Sequence, residues 1–284
     1  MKISIIVTVY NYEKFIEETL ESILNQTRFE YVKEIIIVND GSTDNSLKII
    51  RNYKNIDKIK VISQENGGQL SAFNAGFKYA TGEIIHFLDA DDVLYSNFYE
   101  NIVKYFHTYD VVFVRREYFG SKHYLEDKLY SKDFGFSYLR TFYLKKWIGS
   151  STSAILFKKD IIDKILPLKE IEKDWRIRAD DCLIFASSLV GAKKFYCSEI
   201  KLKYRIHDNN NFFNKKIKEE EKFIRWMNIN KLFNIILEKN HINIDDIQII
   251  YEFLTIKNKS FYDFLDYLKV CYFSKYNAPQ NQDH

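Results

Sequence analysis

Short, continuous apolar runs alternate along the first hundred residues with segments whose apolar positions recur every three to four residues. Runs that are apolar at every position fit strands buried on both faces, and the intervening periodicity fits the helices that cover them, so the chain reads as β-α-β-α-β-α-β around a mostly parallel sheet. The strands fall at 3–9, 35–38, 59–63 and 84–88. Asn11 is expected to cap a first helix whose stripe is Phe15, Ile16, Leu20, Ile23 and Leu24. Asp44, in the turn NDGSTD, is expected to cap a second carrying Leu47, Ile50 and Tyr53. After Gly67 and Gly68, a third helix carries Leu70, Phe73 and Phe77 and ends near Gly82.

Beyond the fourth strand the pattern predicts a helix at 96–106, a strand at 111–115, a segment at 117–146 without clear periodicity, and a strand at 154–157. A helix at 181–190 and strands at 194–197 and 202–206 follow, and the remainder reads as helices. One spans about 215–238 with two nearly opposite stripes, Ile217, Ile224, Met227 and Ile235 against Phe223, Trp226, Phe233 and Leu237, so it needs two apolar partners. The main domain and the terminal helices are the expected pair; a membrane surface or a second subunit is the alternative. Ile247, Ile250, Tyr251 and Leu254 form one further stripe, Phe261, Phe264, Leu265, Leu268 and Tyr272 another, and the tail from Asn277 is expected to fray.

Composition narrows the class. The 284 residues are 46% hydrophobic, enough for a substantial core, and a net charge of +3 from 42 basic and 39 acidic residues is too balanced for a dedicated nucleic-acid binder. Cys182, Cys197 and Cys271 have neither disulfide-framework nor CxxC spacing, which fits a reducing cytoplasm. The N-terminus reads as a strand and lacks a signal-peptide pattern, and no run of about 18 apolar residues predicts a membrane span.

Three polar turns, TVYN, NDGSTD and LDADD, converge at the carboxyl ends of the strands, where open α/β sheets bind ligands. In LDADD, Asp89, Asp91 and Asp92 crowd into four residues. At an effective dielectric of about 20, two carboxylates ~5 Å apart repel by roughly 3 kcal/mol, so a divalent cation, basic side chains or bulk water must answer the charge. An extended backbone lets Asp89 and Asp91 face one point.

The runs SIIVTVYNYEKFIEETLESILNQT, IIIVNDGSTD and ENGGQLSAFNAGFKYATGEIIHFLDADD together resemble the nucleotide-sugar-binding half of glycosyltransferase family 2. That resemblance implies a GT-A fold, Rossmann-like with a mostly parallel sheet, over residues 1–210: nucleotide-sugar binding in 1–100, the acceptor side in 101–210, and a helical extension at 211–284. It implies Mn²⁺ or Mg²⁺ bound by Asp91, with Asp89 on the ribose or a metal-bound water and Ala90 between them in the donor site. Asp92 either caps the next segment or tunes the site, and capping is the expectation. Thr8, Val9 and Tyr10 would meet the base, Tyr10 by stacking, and Asp40 would accept from a pyrimidine imide unless it only closes the NDGSTD turn. Gly67 and Gly68 let backbone approach a ligand, the helix N-terminus after them is expected to offer free N–H groups, and Asn66 and Gln69 are candidate polar contacts. Thr8 stands where proline is common in the family.

In the second half, IRADDCLIF puts Asp180 and Asp181 at a helix start, where N-capping is one role. In the resembling enzymes an acidic pair here, usually Glu then Asp, supplies the general base for the acceptor hydroxyl. Asp181 matches the second acid, while Asp180 replaces the more usual Glu. His207, in KYRIHDNNNF, resembles the histidine that completes metal or diphosphate binding. Lys203 and Arg205 could balance phosphate charge or be solvated, and Trp147 and Gly149 lie where such enzymes meet their acceptor.

The expected activity is inverting transfer of a sugar from a nucleotide diphosphate donor, UDP-linked, to a hydroxyl of a glycan or lipid-linked acceptor in cell-envelope polysaccharide synthesis. The expected setting is the cytoplasm or the cytoplasmic membrane face. A sugar-1-phosphate nucleotidyltransferase would want a glycine- and arginine-rich loop after the first strand, which TVYNYEKF is not. A non-catalytic nucleotide-sugar sensor would not need Asp91 and Asp181.

Overall fold

Strand β1 (Ile3–Val9) is buried along its whole length, and alternate residues enter opposite cores: Ile6 joins one apolar layer, Ile5 and Val7 the other. In the computed structural model, which describes residues 1–208, 218–243 and 248–277, β1 lies between two parallel neighbours. Helix α1 (Ile16–Leu24), β2 (Val32–Asp40), α2 (Ser46–Arg51), β3 (Ile59–Gln64), α3 (Gln69–Phe77) and β4 (Ile84–Asp89) follow in the expected alternation. Asn11 does not cap α1. It adopts φ +60° and its side-chain oxygen accepts from the backbone N–H groups of Thr43 (2.7 Å) and Asp44 (3.4 Å), tying the first polar turn to the second. Asp44 does not occupy the N-cap of α2, which is Asn45; one residue earlier, its carboxylate accepts from the Ser46 N–H at 2.9 Å and closes the turn that leads into the helix.

The chain continues through β5 (Val93–Leu94), α4 (Phe98–Ile102), β6 (Val111–Gly120), β7 (Tyr124–Leu125), β8 (Lys132–Gly135), α5 (Tyr138–Leu144), β9 (Ile155–Lys158), α6 (Lys159–Ile165), α7 (Ala179–Leu189) and β10 (Lys194–Ile206). One mixed sheet runs β3-β2-β1-β4-β9-β6-β10-β5, with β7 on β6 and β8 on β10. The two short strands expected between 194 and 206 are one, interrupted by a register shift between Cys197 and Lys201. The segment without periodicity, 117–146, holds the end of β6, then β7, β8 and α5; its elements are too short to imprint a pattern.

Three further helices, α8 (Glu219–Lys239), α9 (Ile249–Leu254) and α10 (Phe261–Asn277), pack on α5 and α7 in the second half of the chain. The start of the expected 215–238 helix, with Ile217, and also Ile247 lie outside the described residues. Ile229, Leu232, Phe233 and Ile236 of α8 are buried, but Phe223, Ile224, Trp226 and Met227 are exposed, so only its second half has the apolar cover expected. The stripes expected to bury α9 and α10 face outward: Ile250, Tyr251, Leu254, Phe261, Phe264, Leu268 and Tyr272 are exposed, while Glu252, Asp263, Asp266, Tyr267 and Val270 face in. Ionic anchoring decides this orientation. Asp263 pairs with Lys132 (2.7 Å) and the buried Arg140 (3.1 Å), Asp266 with Lys146 (2.9 Å), and Glu252 accepts from Tyr267 Oη (2.7 Å) and the Leu139 N–H (2.9 Å). No helix among the described residues is long and apolar enough to cross a membrane.

Candidate active site

Parallel β1, β2 and β4 end on the same side, and the turns that follow them line an open cleft of about 580 Å³, within the size range of small-ligand sites. Thr8, Val9, Tyr10, Asp40, Asn66, Gln69, Asp89 and Asp91 line it on the β1–β4 side, and Trp147, Asp180 and Asp181 on the other. Gly67, Ala90 and His207 are not among the lining residues, and Gly149 is buried against Ile184 of α7, where an added Cβ would lie 2.7 Å from that side chain. Tyr12, Arg116, Thr152, Arg176, Arg178 and Tyr204 also line the cleft. None of these six carried a sequence signal: each comes from a loop or, for Arg116 and Tyr204, a strand whose neighbours are set by the fold alone.

On the donor side, Tyr10 is 46% exposed and presents a ring face to solvent. Asp40 is buried, and its carboxylate accepts from Gln64 Nε2 (2.7 Å) and from the backbone N–H groups of Gly67 (2.9 Å) and Gly68 (2.8 Å). Gln69 and Leu70 donate their N–H groups to the carbonyls of Arg176 (2.8 Å) and Trp175 (3.3 Å). The free N–H groups expected at this helix start are therefore already used, because a carboxylate and a crossing backbone segment satisfy them. Gly68, at φ +89°, has no room for a Cβ, which would sit 2.5 Å from the Arg176 Cα. Gln69 ties the halves of the cleft together: Nε2 donates to Asp89 Oδ1 (3.2 Å) and Thr152 Oγ1 (3.2 Å), and Oε1 accepts from the Ala179 N–H (2.9 Å).

At the acidic turn, His207 Nε2 lies 2.9 Å from Asp91 Oδ2, so two residues 116 positions apart form one donor pair. Burial, then the charges of Asp91 and Asp180, push the Asp89 carboxyl well up; burial, then Asp91 and Asp89, do the same to Asp92. Negative charge here is under-compensated by the protein itself. Asp92 does not cap the helix that follows. It is buried and accepts from the Arg205 N–H at 2.9 Å, fastening the turn to β10. Arg205 is spent in the same way, its Nε donating to the Asp91 carbonyl (2.8 Å) and its guanidinium pairing with Glu18. Lys203 lies over the Tyr95 ring, 5.1 Å from its centroid. Neither basic side chain lines the cleft.

Among the described residues no three metal-binding side chains gather. The pair Asp91 and His207 still fits a divalent cation of the Mg²⁺ or Mn²⁺ kind, which commonly takes one or two protein ligands and completes its shell with water and phosphate oxygens. The buried Asp92 Oδ2, which has no hydrogen-bond partner among the described residues, and the crowding that raises the Asp89 and Asp92 carboxyls favour a cation there.

On the acceptor side, Asp181 is buried at the first turn of α7. It accepts from Trp147 Nε1 (2.7 Å) and pairs with Arg178 (3.1 Å) and with Arg225 of α8 (2.8 Å). Burial, then the charge of Asp181, raises the Asp180 carboxyl to about 7. The buried Lys194 donates to the carbonyls of Ile148 (3.0 Å) and Ile184 (2.7 Å), clamping the Trp147 segment onto α7.

Comparison with known proteins agrees with this geometry. The family model described as glycosyl transferase family 2 matches residues 4–166. The uncharacterized glycosyltransferase alr2836 of Nostoc sp. strain PCC 7120 is 38% identical over 228 residues, 74% of this chain and 66% of that protein. The minor teichoic acid biosynthesis protein GgaB of Bacillus subtilis is 42% identical over 106 residues, 36% of this chain and 12% of that protein. The chain thus spans less than two thirds of the length of these relatives. The crystal structure of S. aureus TarS 1–349 superposes with a TM-score of 0.62 at 18% identity, covering 98% of this chain and 74% of that one. Its complex with UDP-GlcNAc gives 0.63 at 18% identity, over 95% of this chain and 79% of that one. The fold they share is the GT-A fold, and with the family model spanning residues 4–166 the chain belongs to glycosyltransferase family 2.

Proposed function

We propose that the chain is an inverting transferase that moves a sugar from a UDP-linked donor to a hydroxyl of a glycan or lipid-linked acceptor, in cell-envelope polysaccharide synthesis at the cytoplasmic face of the membrane. The observation that carries this reading is one cleft lined by Tyr10 and Asp40 at one end, Asp89 and Asp91 at its acidic turn, and Asp180 and Asp181 at the other end. Membership of glycosyltransferase family 2 removes the nucleotidyltransferase alternative. A relative named for minor teichoic acid biosynthesis and a structural neighbour crystallised with UDP-GlcNAc support the donor and pathway class.

In this reading the uracil stacks on Tyr10, and its imide N–H meets the acceptor capacity left on the Asp40 carboxylate. Asp91 and His207 hold Mn²⁺ or Mg²⁺, and Asp89 meets the ribose. When bound, the cation supplies Lewis-acid neutralisation of the departing diphosphate. Arg116, Arg176 and Arg178 line the same cleft and add positive charge. Asp181 takes the proton of the acceptor hydroxyl as that oxygen attacks the anomeric carbon opposite the diphosphate, inverting the centre. Trp147 and the two arginines hold the carboxylate in place. Asp180 is a second candidate for the proton, favoured by a carboxyl raised to about 7.

The test is UDP release from a panel of UDP-sugars with Mn²⁺ or Mg²⁺, with and without EDTA. Turnover of at least one donor, abolished by EDTA, is expected. A protein that binds UDP yet turns over no donor is the non-catalytic sensor, and turnover that survives EDTA removes the metal from the proposal.

A further inference from the structure

A second cavity of about 190 Å³ shares the Trp147 wall with the main cleft, and nothing in the donor chemistry uses it. Its lining comes from the segment the sequence left unpatterned, with Phe134 and Lys146, from Gly149 just after it, and from α10, which contributes Tyr262, Asp263 and Asp266. We propose that this cavity is an acceptor subsite that seats a neutral pyranose, the sugar unit next to the one that receives the transferred residue. The proposal deepens the transferase reading and rests on it.

Three observations select that ligand. Position comes first: the Trp147 indole lines both cavities, and its Nε1 donates to Asp181 at 2.7 Å, so a chain with one unit against the acceptor-side acids has its next unit at this wall. Surface comes second. Trp147 and Tyr262 are 38% and 76% exposed and, with the half-buried Phe134, give an aromatic lining of the kind that packs on the C–H faces of sugar rings, above the buried Phe113.

Charge comes third. The cations of the lining are held by carboxylates: Lys128 by Glu126 (3.4 Å), which Arg116 shares, Lys132 and Arg140 both by Asp263 (2.7 and 3.1 Å), and Lys146 by Asp266 (2.9 Å). A phosphate would compete with these carboxylates for the same cations. Hydroxyls instead use the donor and acceptor capacity left on paired ammonium and carboxylate groups. The volume suits one ring rather than an extended chain.

The experiment is binding by saturation-transfer NMR and calorimetry on the full chain with UDP and Mg²⁺. The probes are cellobiose, lactose and N,N′-diacetylchitobiose, the methyl glycosides of their single sugars, and glycerol 3-phosphate. At least one disaccharide should bind more tightly than its single unit, and Tyr262→Ala and Asp266→Ala should each erase that advantage, lowering disaccharide affinity about tenfold. Thermal melting of both variants checks their fold, and the side chain lost in Tyr262→Ala is mostly solvent-facing. Failure of every disaccharide to bind, an advantage that persists in both variants, or preference for glycerol 3-phosphate each overturns the proposal. UDP binding in the same samples keeps the two readings apart: no UDP binding with Tyr262-dependent disaccharide binding sinks the transferase reading and keeps the subsite, and the reverse sinks the subsite alone.

Discussion

His86 is wholly buried one strand-turn before the acidic cluster, and both ring nitrogens are engaged: Nε2 at 2.8 Å from the Ser153 carbonyl and Nδ1 at 2.8 Å from Tyr99 Oη. A carbonyl can only accept, so Nε2 carries the proton and Nδ1 accepts from the tyrosine. Ser153 in turn accepts from the Asp89 N–H through its Oγ at 3.0 Å, so a neutral imidazole indirectly sets the acidic turn. Burial lowers this histidine from 6.5 to about 4. The unfolded chain therefore binds the extra proton first. The stability tied to a neutral His86 is complete above pH 6.5 and is lost as pH falls toward 4, by about 3 kcal/mol, since each tenfold change in proton affinity is worth about 1.4 kcal/mol. Urea unfolding at a series of pH values should show that slope, and His86→Phe should flatten it. The acidic pair gives a second residue-scale expectation. A base works deprotonated, so kcat/KM should rise with pH through about 7, where Asp180 beside Asp181 loses its proton. Asp180→Asn should move that limb to lower pH, and Asp181→Asn should cut transfer at least a hundredfold with UDP binding retained, measured by titration calorimetry. An unmoved limb would show that another group sets it.

Among elements, α10 shows why part of the fold could not be read from apolar periodicity. Phe261, Phe264, Leu268 and Tyr272 form an apolar stripe, yet the helix turns Asp263, Tyr267 and Val270 inward. The partners that decide this, Lys132 and Arg140, lie more than 120 residues away and give no local signal. Strands β1, β2 and β4 were legible because burial on both faces acts almost residue by residue along them, whereas β3, at the sheet edge, is only partly covered and was legible from its short apolar run. Burial alone would raise the Asp263 carboxyl, but the Lys132 ammonium and the Ser260 hydroxyl and N–H bring it down to about 2. A depressed carboxylate stabilises the fold fully above its unfolded value of 3.8, and that contribution is lost as pH falls through about 2. Asp263→Asn should remove this acid dependence. It should also lower stability at neutral pH by roughly 3–5 kcal/mol, because Arg140 is left buried without its counter-charge. Circular-dichroism melts from pH 2 to 7 read both effects.

Across the whole molecule, the site is assembled from residues that the chain delivers from far apart. Asp91 meets His207, Gln69 meets Ala179, and Asp181 is held at once by Trp147, Arg178 and Arg225. The acids, the glycine pair and Trp147 could be singled out from sequence because each sits in a short run with its own character. Arg225 could not, since nothing about a basic residue on a long helix announces a partner 44 positions upstream. That contact ties α8 to the proposed base. Asp181 is 1% exposed on its side chain, and a buried carboxylate with one guanidinium removed keeps its charge at greater cost and with less fixed direction. Arg225 is about a third exposed, so its loss should barely touch the core. Arg225→Met, which keeps the aliphatic stem, should therefore lower kcat about tenfold with the KM for the UDP-sugar nearly unchanged, because the residues proposed to hold the donor, Tyr10 and Asp40, lie at the other end of the cleft. Initial rates of UDP release at varied donor concentration separate the two parameters. An unchanged kcat would mean that Arg178 and Trp147 suffice to orient Asp181 and that α8 serves the acceptor side only as a scaffold.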